Sequence, residues 1–476
     1  MTEFVSDSQL PADDGAGSEV ISSEANYSSS NATEISIDGV GVEKIHPITS
    51  IQGNNVYQFE IKSAKKKVLD VKKTKLRLLF QICKADGTDC GLPAAGAAIA
   101  PTSCVLPING LGSAIFTSCE IRINDIAIES GDTMYNFKAD IQNRLCHSKE
   151  VQQNQMGLYM YENEPVKWDS LTGQEKQDIF NATEPQPANP KLNPFIKRWL
   201  RTKGSKKFIV ETDIYADFFK EVKFLPPNTS LGVALTKMDN DKVNDFCLLS
   251  NNNHGFQLKL LKLECVFQTK LMDQDFVDVS IRNMMNGAPY RTSYPTCSLL
   301  RYATPAGQTD LSEYNIFKLN SYSPERFFMV LIDQDAFNGT RGKDPFCYKR
   351  QGVKYFVLHR GDGNTRHLPV HMDRWQGDIE EGLSNLYTAL NINSDAEESV
   401  GIDYWNFDKG NFFIGFDLSK NEDPNVFSLP DKSTNSVEIT AAPLGGPIAK
   451  LVYAEFNTEL LIDAYGNPTV RKNALA

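Results

Sequence analysis

The chain has no apolar run of about 18 residues, so it holds no segment long enough to cross a bilayer as a helix. Its N-terminus lacks the basic stretch followed by an apolar one that marks a signal peptide, and synthesis inside the cell without secretion is the expectation. Nine cysteines occur (Cys83, Cys90, Cys104, Cys119, Cys146, Cys247, Cys265, Cys297 and Cys347), odd in number, scattered, and without a C-x-x-C pair. Free thiols in a reducing compartment are therefore expected, and a 476-residue chain buries enough surface to need no staples. No G-x-S-x-G elbow and no Gly-rich phosphate loop followed by Lys occurs, which removes the two commonest nucleophile and nucleotide signatures. The first Lys or Arg is Lys44, and the formal net charge is −11; neither suits a general nucleic-acid binder.

Hydrophobic residues make up 41% and charged residues 23%, ordinary values for a globular protein. The Ser-, Asp-, Glu- and Gly-rich residues 1–47 offer too few apolar groups to offset the entropy of ordering them, and read as a flexible acidic arm. Beyond it, short β-type runs alternate with Gly, Pro, Asn and Asp: Val56–Ile61, Lys75–Ile82, Glu120–Ile128, Phe327–Ile332, Lys354–Leu358, Phe412–Leu418 and Leu451–Phe456. Glu120–Ile128 alternates apolar and polar almost throughout, as a strand with one buried face does. Helical patterns are few and short, at Tyr135–Leu145, Gln174–Phe180 and Ile379–Leu390. Glu150–Lys207 is polar, interrupted by Pro, and holds Trp168 and Trp199; it reads as a loop insertion with small helices. Many strands with sparse helices give an all-β class built from sandwiches.

An internal repeat gives the architecture. Phe208-Ile209-Val210-Glu211-Thr212-Asp213-Ile214 resembles Phe412-Phe413-Ile414-Gly415-Phe416-Asp417-Leu418 at a shift of 204, and Leu225-Pro226 recurs as Leu429-Pro430 at the same shift. Each half then closes on a similar strand, Phe267-Gln268-Thr269-Lys270-Leu271 and Phe456-Asn457-Thr458-Glu459-Leu460, shifted by 189. Three matches in one order predict two copies of one β-domain.

The candidate chemistry is thin. His359, His367 and His371 lie near one another, but Pro369 breaks any helix that would align the last two, so no metal site is predicted. Cys146 and His147 are adjacent, and adjacent side chains point apart; no catalytic residue and no cofactor site is predicted. Two basic clusters stand out, one of Lys65, Lys66, Lys67, Lys72, Lys73 and Lys75, the other of Lys197, Arg198, Arg201, Lys203, Lys206 and Lys207. They could meet packaged DNA, an inner membrane or a neighbour's acidic arm, but a solvated face that protects strand edges is the simpler reading. Trp375, Trp405, Phe412 and Phe413 are expected in the core rather than on a sugar-binding platform.

Further segments carry a family likeness: Lys84-Ala85-Asp86-Gly87-Thr88, Pro107 to Phe116, the Ile123-Asn124-Asp125 turn, Val330 to Gly339, Asp344-Pro345-Phe346 and Val452-Tyr453-Ala454-Glu455-Phe456. Together they resemble the double jelly-roll major capsid proteins of the Polinton/Maverick family, from about Ile48 to Pro468 and most strongly over Tyr302–Asn338. The resemblance implies two fused jelly rolls, here 48–284 with an insertion around 150–207, and 285–476, after the arm 1–47. It implies homotrimers of pseudo-hexameric outline that tile an icosahedral shell with a separate penton or minor capsid protein. The shell would enclose a double-stranded DNA genome without sequence-specific contacts, in a virion assembled in cytoplasm or nucleus. The acidic arm departs from a DNA-binding role. The turn holding Asp333, Asp335, Phe337, Asn338 and Gly339 is a candidate subunit contact, with shaping of the turn as the plainer alternative. A lectin-like attachment module is the competing function, and a hydrolase on a β scaffold is a third.

Overall fold

The computed structural model describes residues 36–64, 66–92, 103–131, 133–221, 223–250, 255–316, 324–360, 368–373, 379–392, 399–419 and 435–472. Its first strands are β1 (Ile37–Ile45), β2 (Val56–Lys62), β3 (Lys67–Lys84), β4 (Val105–Pro107), β5 (Phe116–Ile123), β6 (Ile126–Glu129), β7 (Phe208–Asp213), β8 (Ser230–Lys237), β9 (Leu248–Ser250) and β10 (Phe256–Met272). They continue as β11 (Tyr290–Thr304), β12 (Glu313–Ile316), β13 (Arg326–Asp333), β14 (Val353–Arg360), β15 (Val370–His371), β16 (Ile414–Asp417), β17 (Asn435–Ala441), β18 (Ile448–Ile462) and β19 (Pro468–Lys472).

These strands form two sandwiches of one design. In the first, the sheet β1-β10-β3-β7 faces the sheet β2-β8-β5-β6; in the second, β11-β18-β13-β16 faces β12-β17-β14-β15. Neighbouring strands are antiparallel throughout, and β19 extends the second sandwich by pairing with β18. The order follows from alternation. Tyr57, Phe59 and Ile61 of β2, Leu76, Leu78 and Phe80 of β3, and Leu231, Val233 and Leu235 of β8 are buried while their neighbours are not.

The repeat read from the sequence is also a repeat of register. Leu78 pairs with Val210 and Leu263, and Met329 pairs with Ile414 and Val452. The offset is 204 from Val210 to Ile414 and 189 from Leu263 to Val452, the same two shifts that the sequence shows. In the facing sheets the buried Leu235 of β8 and Ile439 of β17, each on the second strand of its sheet, also lie 204 apart. Leu429 and Pro430 lie outside the described residues.

Two expectations need correction. Residues 37–45, counted by composition in the acidic arm, are β1 and pair with β10 from Ile37↔Met272 to Ile45↔Cys265. Backbone pairing holds this stretch in the sheet although its side chains are half-buried at most, which composition does not register. Residues 1–35 lie outside the described residues. Glu120–Ile128 is a hairpin and not one strand, because Asn124 and Asp125 adopt positive φ (47° and 66°) and form a two-residue turn between β5 and β6.

The insertion packs as small helices, among them Gly173–Asn181 and Asn193–Thr202, around the fully buried Trp168, Phe180, Phe195 and Trp199. One hydrophobic core runs through both sandwiches and the insertion. Leu78→Ala and Met329→Ala remove equivalent buried side chains from the two sandwiches, and each is expected to cost about 2–5 kcal/mol. Denaturant unfolding followed by near-UV dichroism should show one transition shifted down in both variants. Two separable transitions would mean that the halves unfold independently.

Candidate functional site

The seam between the sandwiches is the most elaborate polar site in the described chain. It is built on the helix Tyr135–Leu145, every residue of which is buried. An isolated helix of this composition would expose Lys138, Asp140, Gln142, Asn143 and Arg144; here each has a partner. Lys138 Nζ donates to Asp217 at 2.7 Å and reaches Glu129 at 3.3 Å. Arg144 donates to the Phe346 and Asn411 oxygens, both at 2.6 Å, to the Gly410 carbonyl at 3.1 Å, and pairs with Asp140 at 2.9 Å. Tyr348 Oη donates to Asp140 at 2.7 Å, and the Arg144 guanidinium lies 4.5 Å over the Tyr348 ring. Gln142 Nε2 donates to Tyr453 Oη at 3.1 Å. Thus first-half side chains seize backbone and side-chain groups of the second half.

Burial alone would push the Asp217 carboxyl up, but Lys138 and Lys220 outweigh it and hold it below its usual range. The Lys138 ammonium is raised by Asp217 and Glu129 against the cost of burial. Beside β11, the segment Asp217–Lys220 and its sequel close the seam. Asp217 Oδ2 accepts from the Cys297 N–H at 2.7 Å, Lys223 Nζ donates to the Arg291 carbonyl at 2.8 Å, and Phe218 meets Tyr294 edge-on at 5.9 Å. As a result part of the outer face of the sheet β11-β18-β13-β16 is covered: Phe328, Tyr453, Glu455 and Cys297 are buried, while Ser293 and Pro295 farther along β11 stay exposed.

The residues singled out by sequence distribute as follows. Asp333 accepts from Lys349 at 2.5 Å and Gln351 at 2.7 Å, and Asp335 accepts from Lys343 at 3.1 Å. Phe337 stacks on Phe137 of the seam helix at 5.0 Å and lies under Arg301. Asn338 accepts from Gln334 at 2.9 Å, and Gly339 takes φ 81° against Phe246. Phe337 and Gly339 therefore meet the first half of their own chain, while Asp335 and Asn338 are exposed. Several members of the basic clusters have acidic partners: Lys67 pairs with Glu43, Lys73 with Asp70, Lys75 with Asp213 and Lys197 with Glu162. Arg198 is not on a solvated face; it is 1% exposed and pairs with Glu164, which Lys167 also holds. Lys65 lies outside the described residues.

His359 pairs with Glu438 at 2.9 Å, His371 packs on Tyr355, and His367 lies outside the described residues. No cluster of three or more His, Cys, Asp or Glu arranged to hold a metal occurs among the described residues. Burial pushes the Cys104 thiol up to about 11 and raises Cys119, Cys247, Cys265, Cys297 and Cys347 as well, the opposite of what a nucleophile requires. Phe412 and Phe413 are buried as expected, but Trp405 is 73% exposed beside Tyr404, because a turn closed by Asp403 holds both rings outside the core. Trp375 lies outside the described residues. An open cleft of about 670 Å³ at one end of the first sandwich is lined by Asn54, Asn55, Lys237, Asp239, Asn240 and Lys259, and several of these bond one another.

No family model matches the sequence. An uncharacterised protein of Caenorhabditis elegans is 24% identical over 432 residues, covering 88% of this chain and 94% of the relative. Among solved structures, that of the Sputnik virophage aligns over 99% of this chain and 96% of its own, with a TM-score of 0.58 and 12% identity. The mavirus major capsid protein aligns over 98% and 97% (TM-score 0.53, 11% identity), and the Faustovirus major capsid protein over 91% and 92% (TM-score 0.52, 9% identity). The chain is a double jelly roll. Near-complete coverage in both directions extends the likeness to both sandwiches, the insertion and their connection.

Two measurements probe the polar interior of this double jelly roll. Arg144→Met strands Asp140 and three acceptors in the seam and should cost about 3–5 kcal/mol in denaturant unfolding. Asp344 is buried beside Glu164 and Asp169, and burial first, then those carboxylates, push its carboxyl from the usual 3.8 up to about 7. The folded state thus binds the extra proton between about pH 4 and 7, so this group's contribution to stability falls as pH rises through that window. Asp344→Asn keeps an acceptor for the Phe346 N–H and should melt several degrees above the parent at pH 8, with the gap closing towards pH 4.

Proposed function

We propose that this chain is a major capsid protein of the Polinton/Maverick type, a structural protein without catalysis. The observation that carries the reading is the duplication itself: two sandwiches of one strand order and one register within a single chain. Three such chains in a ring present six similar walls, so a threefold particle fits positions with six neighbours. An enzyme or a single binding module has no use for that equivalence. The matched folds of the mavirus and Faustovirus major capsid proteins support the reading. The trimers would tile an icosahedral shell with a penton or minor capsid protein, around double-stranded DNA bound without sequence readout, and the chain would reside in the virion. Asp335 and Asn338, exposed on the turn after β13, are candidate subunit contacts.

A lectin-like attachment module draws on one feature, the exposed Tyr404–Trp405 pair, since aromatic faces suit sugars. Static light scattering and negative-stain imaging of the full chain separate the two. A mass near three times 53.2 kDa with hexagonal outlines is expected. A monomer at micromolar concentration in low and high salt, together with binding on a glycan array, would replace the capsid reading with the attachment one.

A further inference from the structure

The duplication supplies an internal control for the cleft at one end of the first sandwich. Leu258 and Leu260 of β10 pair with Ile82 and Phe80, so their side chains lie on the inner face of the sheet. Ile82 and Phe80 are fully buried, whereas Leu258 and Leu260 are only half-buried and line the cleft. By the offset of 251 that takes Leu78 to Met329, Phe80 and Ile82 become Leu331 and Asp333, whose β18 partners are Lys450 and Ile448. Both partners are buried. Lys450 Nζ donates to the Leu311 carbonyl at 2.7 Å and pairs with Glu313, so the second sandwich is closed where the first is open.

The mouth of the cleft carries an inward cation. Lys237 ends β8 two residues after the buried Leu235 and pairs with the buried Phe116, so it too lies on the inner face. Its Nζ donates to the Asn240 carboxamide, and it forms no ion pair among the described residues. Asp239 on the same turn accepts from Asn55 Nδ2 at 2.9 Å, and Asp241 stands exposed at the rim. Burial pulls the Lys237 ammonium below its ordinary range, with Asp239 opposing. Lys450, by contrast, has a carboxylate built in as Glu313. At the 204 offset the place of Lys237 is taken by the buried Ala441, so the second half has neither the opening nor the cation at that position.

We infer that this cleft is a binding site for a single-chain amphiphile with an anionic head, of the fatty-acid class. Tyr57, Phe80, Ile115, Leu258 and Leu260 form an apolar floor for the acyl chain, and Lys237 with the Asn54 and Asn55 carboxamides receives the head. A cleft of about 670 Å³ suits a ligand of that size. Covering the two leucines removes apolar surface from water, and the bound carboxylate gives Lys237 the kind of partner that Glu313 gives Lys450. One chain suffices to form the cleft, so the capsid reading is not involved.

The test is calorimetry of the full chain with dodecanoate, dodecyltrimethylammonium and acetate, each below micelle formation. Saturable binding of one dodecanoate per chain is expected, with acetate and the cationic amphiphile at least about tenfold weaker. Lys237→Gln should weaken dodecanoate about tenfold, while Lys237→Arg keeps most of the affinity and both variants melt as the parent does. Equal binding of the two amphiphiles, or of dodecanoate to the parent and Lys237→Gln, would overturn the anionic head. Absence of saturable dodecanoate binding would overturn the site. Should Lys237→Gln fail to fold, dodecanoate carrying a diazirine at its chain end decides on the parent. Photolabels on Tyr57 or on residues 258–261 support the cleft, and labels confined to other residues overturn it.

Discussion

The structure turns on the charges of a single buried helix. Tyr135–Leu145 lies between the two sandwiches, and without Lys138, Asp140, Gln142 and Arg144 it would be an ordinary core helix that either half could displace. With them, it becomes a key cut for one lock. Arg144 is matched to two carbonyls, a carboxamide and a carboxylate, three of which belong to the second half. Removing such a cation from water is costly, and the cost is offset only when every donor finds its acceptor, so a slipped or rotated seam is strongly disfavoured. Apolar burial supplies the cohesion of the halves, and the buried ions fix their relation. That division explains how a seam can be rich in charge yet sit inside one continuous hydrophobic core.

Much of this was legible in the sequence, and the reasons are specific. Strands with one wet face alternate, so β2, the middle of β3 and β8 stand out by period. The repeat was legible because β7 and β16, and β10 and β18, hold the same places in their sheets and keep inward side chains of the same kind. The extent of β1 was not legible: Ile37–Ile45 is held by ladder hydrogen bonds to β10, and backbone bonds leave no trace in composition. Trp405 misled because aromatic residues usually bury, whereas here local bonds to Asp403 fix a turn that keeps the ring outside. The seam was invisible for a different reason. Lys138 and Asp217 are 79 residues apart and Arg144 and Asn411 are 267 apart, so no local pattern announces either pair. The seam helix itself was predicted at Tyr135–Leu145, and only the tertiary fold shows where its charges point.

The unequal lengths of the two halves bear on how such a chain is used. The connection between β6 and β7 holds the seam helix and the Trp168–Trp199 insertion, and it is far longer than the one between β15 and β16. The extra chain therefore went into the seam formed within one molecule. That seam needs no affinity of its own, since covalent linkage holds its two sides at high effective concentration. It can accommodate buried ions, which add specificity while contributing little net stability. A seam between separate molecules must bind at working concentration, and apolar area is the more dependable source of that free energy. The exposed Val40 and Val42 of β1 stand where β11 has Ser293 and Pro295, so the two edge strands have diverged in composition while keeping one register.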